Sequence, residues 1–273
     1  MHIARFSRPE GIAYGLVEAE GAADVADLDP TRPDDAARLR LTVLAGHPLF
    51  DPTPTGEVVA VPQVRLLAPV TPINVVCIGK NYDEHVREMG GLGPATDTPT
   101  VFLKPPTSVV GPGEPIRLPA GVGRVDHEAE LAVVIGRPAR DLTPESALSV
   151  IWGCTAANDV TARDQQRADT QWTRAKGHDT FCPLGPWLVT GLDLADLRVR
   201  CEVDDVLRQD GRTRDLLTGV PEVLAFVTSF MTLLPGDVVL TGTPAGVGAL
   251  EPGQTVAVGV EGVGTLTNPV VAR

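Results

Sequence analysis

Aromatic residues make up only 4% of this 273-residue chain, and it has neither a long apolar run nor any closely spaced cysteine pair. Without a stretch of about 18 apolar residues it offers no membrane-crossing helix, and Met1-His2-Ile3-Ala4-Arg5 does not open a signal peptide. The four cysteines, Cys77, Cys154, Cys182 and Cys201, are scattered among apolar neighbours with no C-x-x-C spacing. Buried free thiols are therefore expected, rather than disulfides or a zinc site. Positive charge is also in short supply. A formal charge of −12 argues against nucleic acid and against an anionic membrane surface as partners. It leaves room for a small anionic substrate, because a bound cation and a few local basic groups can dominate the field inside a cleft. The expectation is a soluble, cytoplasmic protein.

What the chain does have is aliphatic and turn-forming. The hydrophobic fraction is 43%, so Val, Leu, Ala and Ile must build the core, and 28 Gly with 25 Pro imply many turns between short strands. Residues 1–70 read as a small β-rich cap, with a hairpin about Pro9-Glu10-Gly11. Ala37, Leu41 and Leu44 at helical spacing before Gly46 predict a helix over residues 34–45. The proline-punctuated stretch 61–72 marks the boundary to a second domain, residues 71–273. There the pattern predicts strands over 74–78, 101–103, 128–135, 198–203, 255–260 and 264–271, with a further apolar stretch over 151–157. A short helix is expected over 83–89 and a strong amphipathic one over 221–234, with Val223, Leu224, Val227, Phe230 and Met231 as its core stripe. Many short strands with few helices give a β-rich α+β fold, a roll or sandwich.

The chemistry concentrates in Asp126-His127-Glu128-Ala129-Glu130. Glu128 and Glu130 head the apolar run Leu131-Ala132-Val133-Val134-Ile135, and on a strand residues i and i+2 share a face. Two carboxylates on one buried face repel each other and lose hydration, and a divalent cation between them relieves both costs. Asp159, ending a second apolar stretch, can add a third oxygen ligand. An all-carboxylate set without Cys or paired His favours Mg²⁺, Mn²⁺ or Ca²⁺ over zinc. The same spacing also fits a solvated acidic edge strand. His85 and Glu88 lie three apart, on one side of a short helix. They fit either a His–Glu base pair or an ordinary charged surface helix.

The run Cys77-Ile78-Gly79-Lys80-Asn81-Tyr82-Asp83-Glu84-His85-Val86-Arg87-Glu88-Met89 resembles the opening catalytic motif of the fumarylacetoacetate hydrolase family. Phe102-Leu103-Lys104-Pro105, Glu128-Ala129-Glu130-Leu131, Asn158-Asp159-Val160-Thr161-Ala162-Arg163-Asp164 and Thr241-Gly242-Thr243-Pro244 match its later blocks in order. The N-terminal segment resembles the short cap of bacterial members, which include 2-hydroxyhepta-2,4-diene-1,7-dioate isomerases and acylpyruvate hydrolases. The resemblance implies a mixed β-sandwich roll, a homodimer, and one Mg²⁺ or Mn²⁺ held by Glu128, Glu130 and Asp159, with Ca²⁺ as an alternative.

Further roles follow from the resemblance alone. His85, oriented by Glu88, would activate water, and Lys176 would stabilise enolate charge. Arg163 and Gln166 would contact substrate or brace the metal ligands, with an ion pair from Arg163 to Asp164 or Asp159 as the alternative. Thr243 would present its hydroxyl and backbone to a substrate carboxylate, and Tyr82 and Lys104 would line the pocket wall. The His85 helix can act as a lid in such proteins, with Gly90-Gly91-Leu92-Gly93 as its flexible flank. Residues between Gly90 and Thr100 and around His178 would set substrate shape.

The implied reaction is hydrolytic C–C cleavage of an acylpyruvate-type 2,4-diketo acid. Decarboxylation of oxaloacetate-like acids and tautomerisation of 2-hydroxydienoates are alternatives drawing on the same site. A non-catalytic keto-acid or metal binder is a reading of another class, opposed by the presence of triad, dyad and lysine together. Gly242-Thr243-Pro244-Ala245-Gly246-Val247-Gly248 lacks the lysine of a phosphate-binding loop, and no serine sits in a G-x-S-x-G elbow.

Overall fold

A 12-stranded sheet runs through the N-terminal segment and the remainder of the chain alike. The structure, a computed structural model, describes residues 1–88, 90 and 98–273. The expected flank Gly91-Leu92-Gly93 and most of the segment between Gly90 and Thr100 lie outside these residues. Through the middle of the large sheet the strands run in the order His2–Arg8, Cys182–Val189, Ile151–Asn158, Ala129–Ile135, Val238–Leu240, Val75–Gly79, Thr100–Lys104. Against it packs a five-stranded sheet formed by Val206–Arg212, Arg198–Val203, Thr255–Val260, Gly264–Ala272 and Ile116–Leu118. A small three-stranded sheet joins Thr161–Ala162, Val125–His127 and Gly248–Ala249. The fold is β-rich with short helices, as the turn-heavy composition predicts.

Ala129–Ile135 shows why its sequence is continuously apolar rather than alternating. All of its residues are buried: Leu131, Val133 and Ile135 enter one hydrophobic core, Ala132 and Val134 another on the opposite face. A strand covered on both sides has no position for a solvated side chain. The helix Val220–Phe230 buries Val223, Leu224 and Val227 as its pattern predicts. It stops short of residue 234 because Leu233 pairs with Ala139 in an isolated β-bridge.

One expectation is corrected. Residues 34–45 do not form one helix: a single turn, Pro33–Ala36, is followed by the strand Leu39–Leu44. Leu39, Leu41 and Val43 are the buried set, a two-residue period that outweighs the helical spacing of Ala37, Leu41 and Leu44. The N-terminal segment shares the large sheet with the rest of the chain, because His2 and Ile3 pair with Val189 and Leu188. Arg65–Leu67, inside the expected linker, returns to pair with His2–Arg8. All four cysteines are free and buried. Among the described residues, no helix is long and apolar enough to cross a membrane.

Trp187, fully buried on Cys182–Val189, donates its indole N–H to the Val263 carbonyl and so ties the large sheet to the five-stranded one. Trp187→Ala is expected to cost about 3–5 kcal/mol of unfolding free energy, read as a lower urea midpoint with an unchanged slope.

Candidate active site and metal centre

The site is set by where strands end. Val75–Gly79 and Val238–Leu240 pair in parallel, so the segments that leave them, 80–82 and 241–243, emerge side by side. Ala129–Ile135 runs antiparallel to Val238–Leu240, which brings its opening residues to the same edge. Ile151–Asn158 pairs with it on the other side, Asn158 opposite Ala129, and delivers Asp159 beside Glu128. The Asp159 N–H donates to the Glu128 carbonyl at 2.8 Å, and the Asn158 Oδ1 accepts the Glu128 N–H at 3.0 Å. Glu128 itself occupies the break between the strands Val125–His127 and Ala129–Ile135 rather than lying within one long strand.

Carboxylate oxygens of Glu128, Glu130 and Asp159 lie within 4.8 Å of one another, and the three residues are only 1–4% exposed. This excludes the solvated edge strand. Two buried lysines stand over the cluster. Lys176 Nζ donates to Glu128 Oε2 at 2.7 Å and to Asp159 Oδ2 at 2.6 Å, and Lys104 Nζ donates to Asp159 Oδ1 at 2.5 Å. Arg163 Nη2 lies 2.7 Å from Glu128 Oε1, while its Nε donates to Asp126 Oδ2 and its Nη1 to Gln166 Oε1. Asp126 is thereby an anchor for Arg163, and Asp164 pairs instead with Arg167.

The electrostatics divide the cluster. Burial alone would raise the Glu128 carboxyl, but Lys176 and Arg163 beside it, with His85 nearby, hold it below the ordinary carboxylate range. For Glu130 burial acts together with the negative charges of Asp159 and Glu128, and its carboxyl is pushed well above that range. Its Oε2 accepts the Gly242 N–H at 2.6 Å. Gly242 adopts φ +106°, and a Cβ there would come within 2.7 Å of the Asn81 Cβ, so this donor position requires glycine. Burial opposes the charge on Lys176, but Asp159 and Glu128 raise its pKa above the ordinary lysine value. A compact all-oxygen set with one member destabilised by like charge fits a hard divalent cation, which Glu128, Glu130 and Asp159 would hold.

His85, on the helix Asp83–Glu88, is buried, and its Nδ1 lies 3.4 Å from Glu88 Oε2. Glu88 is fixed in turn by the Gly246 N–H, at 3.2 and 3.1 Å from its two oxygens. His85, the three carboxylates, Arg163, Gln166, Lys176 and Thr243 all line one cavity of about 280 Å³. The rest of its wall includes Ile78, Val86, Phe102 and Trp172. Phe102 and Trp172 meet edge to face at 5.3 Å, and Lys176 Nζ stands 4.8 Å from the centre of the Phe102 ring. A groove of about 400 Å³ elsewhere contains Arg198, Arg200 and Arg212. Those arginines face Asp210, Glu202, Asp196 and Glu261, which neutralise them locally.

Two expectations for the wall, Tyr82 and Lys104, differ from what the structure places there. Tyr82 is buried outside the cavity lining, paired with Leu216 in a β-bridge, and its hydroxyl is pushed up by burial and by Glu130. Lys104 is sealed behind Asp159 with no exposed side-chain surface, so it acts on a carboxylate rather than on the cavity. His178 also stands off the lining and contacts Gln165 Oε1 at 2.8 Å. The Thr243 hydroxyl is already engaged: it donates to the Ala129 carbonyl and accepts from Gln209 Nε2, at 2.8 and 2.7 Å.

The sequence reading assigned no role to Phe102, Trp172, Lys80 or Gln209. Phe102 stands inside a quoted motif and Trp172 four residues before Lys176, where an aromatic in so aromatic-poor a chain was the available signal. Lys80 lines the cavity with a left-handed backbone, φ 61°, which the tight Gly79-Lys80-Asn81 turn could have indicated. Gln209 carried no signal, since an amide on an exposed hairpin is ordinary.

The family model "Fumarylacetoacetate (FAA) hydrolase C-terminal" matches residues 74–271, and "Rv2993c-like, N-terminal" matches residues 1–69. The chain superposes on a 5-carboxymethyl-2-hydroxymuconate delta-isomerase from Mycobacterium smegmatis with a TM-score of 0.87, at 47% identity, covering 100% of both chains. It matches fumarylpyruvate hydrolase from Pseudomonas aeruginosa, solved with Mn²⁺ and pyruvate, with a TM-score of 0.70 at 31% identity. That match covers 75% of this chain and 91% of the other. A mitochondrial oxaloacetate tautomerase of Xenopus laevis is 36% identical over 93% of this chain and 85% of its own length. With its carboxylate cluster, buried lysine and His–Glu pair on this fold, the chain belongs to the fumarylacetoacetate hydrolase family.

Proposed function

We propose that the protein is a divalent-metal-dependent enzyme of 2-keto acids, and that it hydrolyses a carbon–carbon bond in an acylpyruvate-type substrate. The observation that supports this reading is the meeting of Glu128, Glu130 and Asp159, the Lys176 ammonium and the His85–Glu88 pair in one cavity. A Mg²⁺ or Mn²⁺ ion held by the carboxylates supplies Lewis-acid stabilisation of charge on the keto-acid end.

The side chains divide the remaining work. Glu88 accepts from His85 Nδ1, which leaves Nε2 free to take a proton from water. The hydroxide oxygen bonds to the distal carbonyl carbon. The bond from that carbon to C3 of the pyruvoyl unit then breaks, and its electron pair stays on the pyruvoyl fragment as an enolate. Lys176 and Arg163 face this negative charge. The proton held on His85 Nε2 goes to C3, so water is consumed and pyruvate and a free acid are formed. The apolar walls Ile78, Val86, Phe102 and Trp172 shelter the distal acyl group from bulk water.

A second reading is favoured by the isomerase and tautomerase relatives. With no water aligned, His85 would move a proton between carbon and oxygen of an enol acid, and the same groups would stabilise the shared enolate. Decarboxylation of an oxaloacetate-like acid uses that enolate too.

Product analysis by NMR after incubation with a simple acylpyruvate separates these readings. Hydrolysis yields pyruvate and the free acid with Mg²⁺ and not with EDTA. An unchanged acylpyruvate, with enol–keto exchange of oxaloacetate accelerated instead, would overturn hydrolysis in favour of tautomerisation. His85→Ala should lower kcat by about 10²–10⁴-fold while substrate binding persists; an unchanged kcat would remove His85 from this role.

Metal dependence also has a pH signature. Because folding raises the Glu130 pKa, the metal-free protein loses stability as pH climbs from the unfolded value, about 4.3, through the folded one. The contribution of Glu128 runs the other way and is lost only as pH falls below that value. A cation that binds the deprotonated cluster restores what Glu130 costs. The rise in Tm on adding Mn²⁺ to EDTA-treated protein should therefore grow as pH climbs above the unfolded carboxylate value. Glu130→Gln should flatten that slope.

A further inference from the structure

Gln209 sits at the centre of the Val206–Arg212 strand, whose neighbouring positions face solvent, yet it is 0% exposed. A buried side chain on an otherwise exposed strand is ordinarily apolar, because a buried amide must find partners for every donor and acceptor. Gln209 finds all of them. Its Oε1 accepts from the Ala129 N–H at 3.0 Å and from His127 Nδ1 at 2.9 Å. Its Nε2 donates to Thr243 Oγ1 at 2.7 Å and to the Pro244 carbonyl at 2.8 Å. The amide has a single orientation, since the Ala129 N–H can only donate and the Pro244 carbonyl can only accept. His127 must therefore donate from Nδ1.

These partners belong to both halves of the site. Ala129 separates Glu128 from Glu130. Gln209 holds its N–H, and Thr243 Oγ1 donates to its carbonyl at 2.8 Å. Pro244 lies in the loop whose Gly242 N–H holds Glu130 and whose Gly246 N–H holds Glu88. The loop is pressed onto the Gln209 strand: a Cβ at Gly246, φ +98°, would come within 2.0 Å of the Arg208 carbonyl oxygen.

We propose that Gln209 is a positioning residue that sets the carboxylate cluster and the His85–Glu88 pair at a common spacing, acting through Ala129 and the 242–246 loop. The proposal rests on the metal-dependent reading of the site given above. Gln209→Met keeps the approximate volume and removes all four hydrogen bonds. Thr243→Val keeps three of the four Gln209 hydrogen bonds and breaks the Gln209–Thr243–Ala129 carbonyl bridge. Mn²⁺ affinity, read from the EPR signal of free Mn²⁺, should fall about 10–100-fold in Gln209→Met and by less in Thr243→Val. The double variant should fall no further than Gln209→Met alone, because the two act through one bridge. The pH profile of kcat/KM should shift in Gln209→Met as the Glu88 contact loosens.

Trp187→Ala serves as a control that lowers stability away from the site, and its Mn²⁺ affinity should match the wild type. Wild-type protein that fails to bind Mn²⁺ would overturn the metal reading. Tight wild-type binding with unchanged affinity and pH profile in Gln209→Met and Thr243→Val would overturn the proposal for Gln209 alone. Equal losses in Trp187→Ala would overturn it as well, since the effect would then be general destabilisation.

Discussion

Everything at this site answers to the confinement of three carboxylates, each at most 4% exposed, around one cavity. Charges within 4.8 Å of one another repel by about 3 kcal/mol per pair at an effective dielectric of about 20, before any desolvation cost. The surrounding chain offsets this with Lys176, Lys104 and Arg163, each buried and each aimed at a carboxylate oxygen. The offset is uneven. Glu128 and Asp159 are paired with these cations in salt bridges, whereas Glu130 accepts, among the described residues, a backbone N–H from Gly242. Glu130 is accordingly the carboxyl held most strongly toward its neutral form, and a bound cation would change its state most.

Two tiers of support surround these charges. Lys176 and Arg163 face the cavity and can act both on the carboxylates and on a substrate. Lys104 is fully buried off the cavity lining, and its ammonium donates to Asp159 and the Val160 carbonyl. Asp126 likewise acts at one remove, by holding Arg163 through its Nε. This division explains why residues drawn from the same sequence blocks take different places. A motif records that a side chain is needed near the site, not which way it faces.

Much of this was legible in the chain, for identifiable reasons. The i, i+2 spacing of Glu128 and Glu130 at the head of a continuous apolar run carries their shared face in the sequence itself, because strand periodicity is a local property. The His85–Glu88 pairing is local as well, three residues apart on one helix. The convergence of blocks from residues 77, 128, 159 and 241 was available only through family resemblance. It arises from a parallel strand pair and two antiparallel neighbours, contacts that no local pattern encodes. Residues 39–44 show the opposite failure. Ala37, Leu41 and Leu44 satisfy a helical period by coincidence, while the pairing of Leu39–Leu44 with the N-terminal hairpin decides the outcome. Gln209 was invisible for the same reason, since its importance lies entirely in partners 34 to 82 residues away.

The choice among hydrolysis, tautomerisation and decarboxylation has a physical basis that the motifs do not touch. All three pass through an enolate, so the carboxylate cluster and Lys176 serve each alike, and selection acts on those residues equally whichever reaction is run. What separates the reactions is whether water reaches the distal carbonyl carbon in line with His85 Nε2. That depends on how tightly the acyl group fills the space between His85 and the Phe102–Trp172 wall. A group that packs flat against the two rings leaves no room for water, and the proton shuttle then works on carbon. A smaller or bent group leaves a water-sized gap, and the same histidine becomes a hydrolytic base. On the proposed mechanism the reaction would then be decided beside the Phe102–Trp172 pair, two of the few aromatics in the chain, with Lys176 Nζ 4.8 Å from the centre of the Phe102 ring.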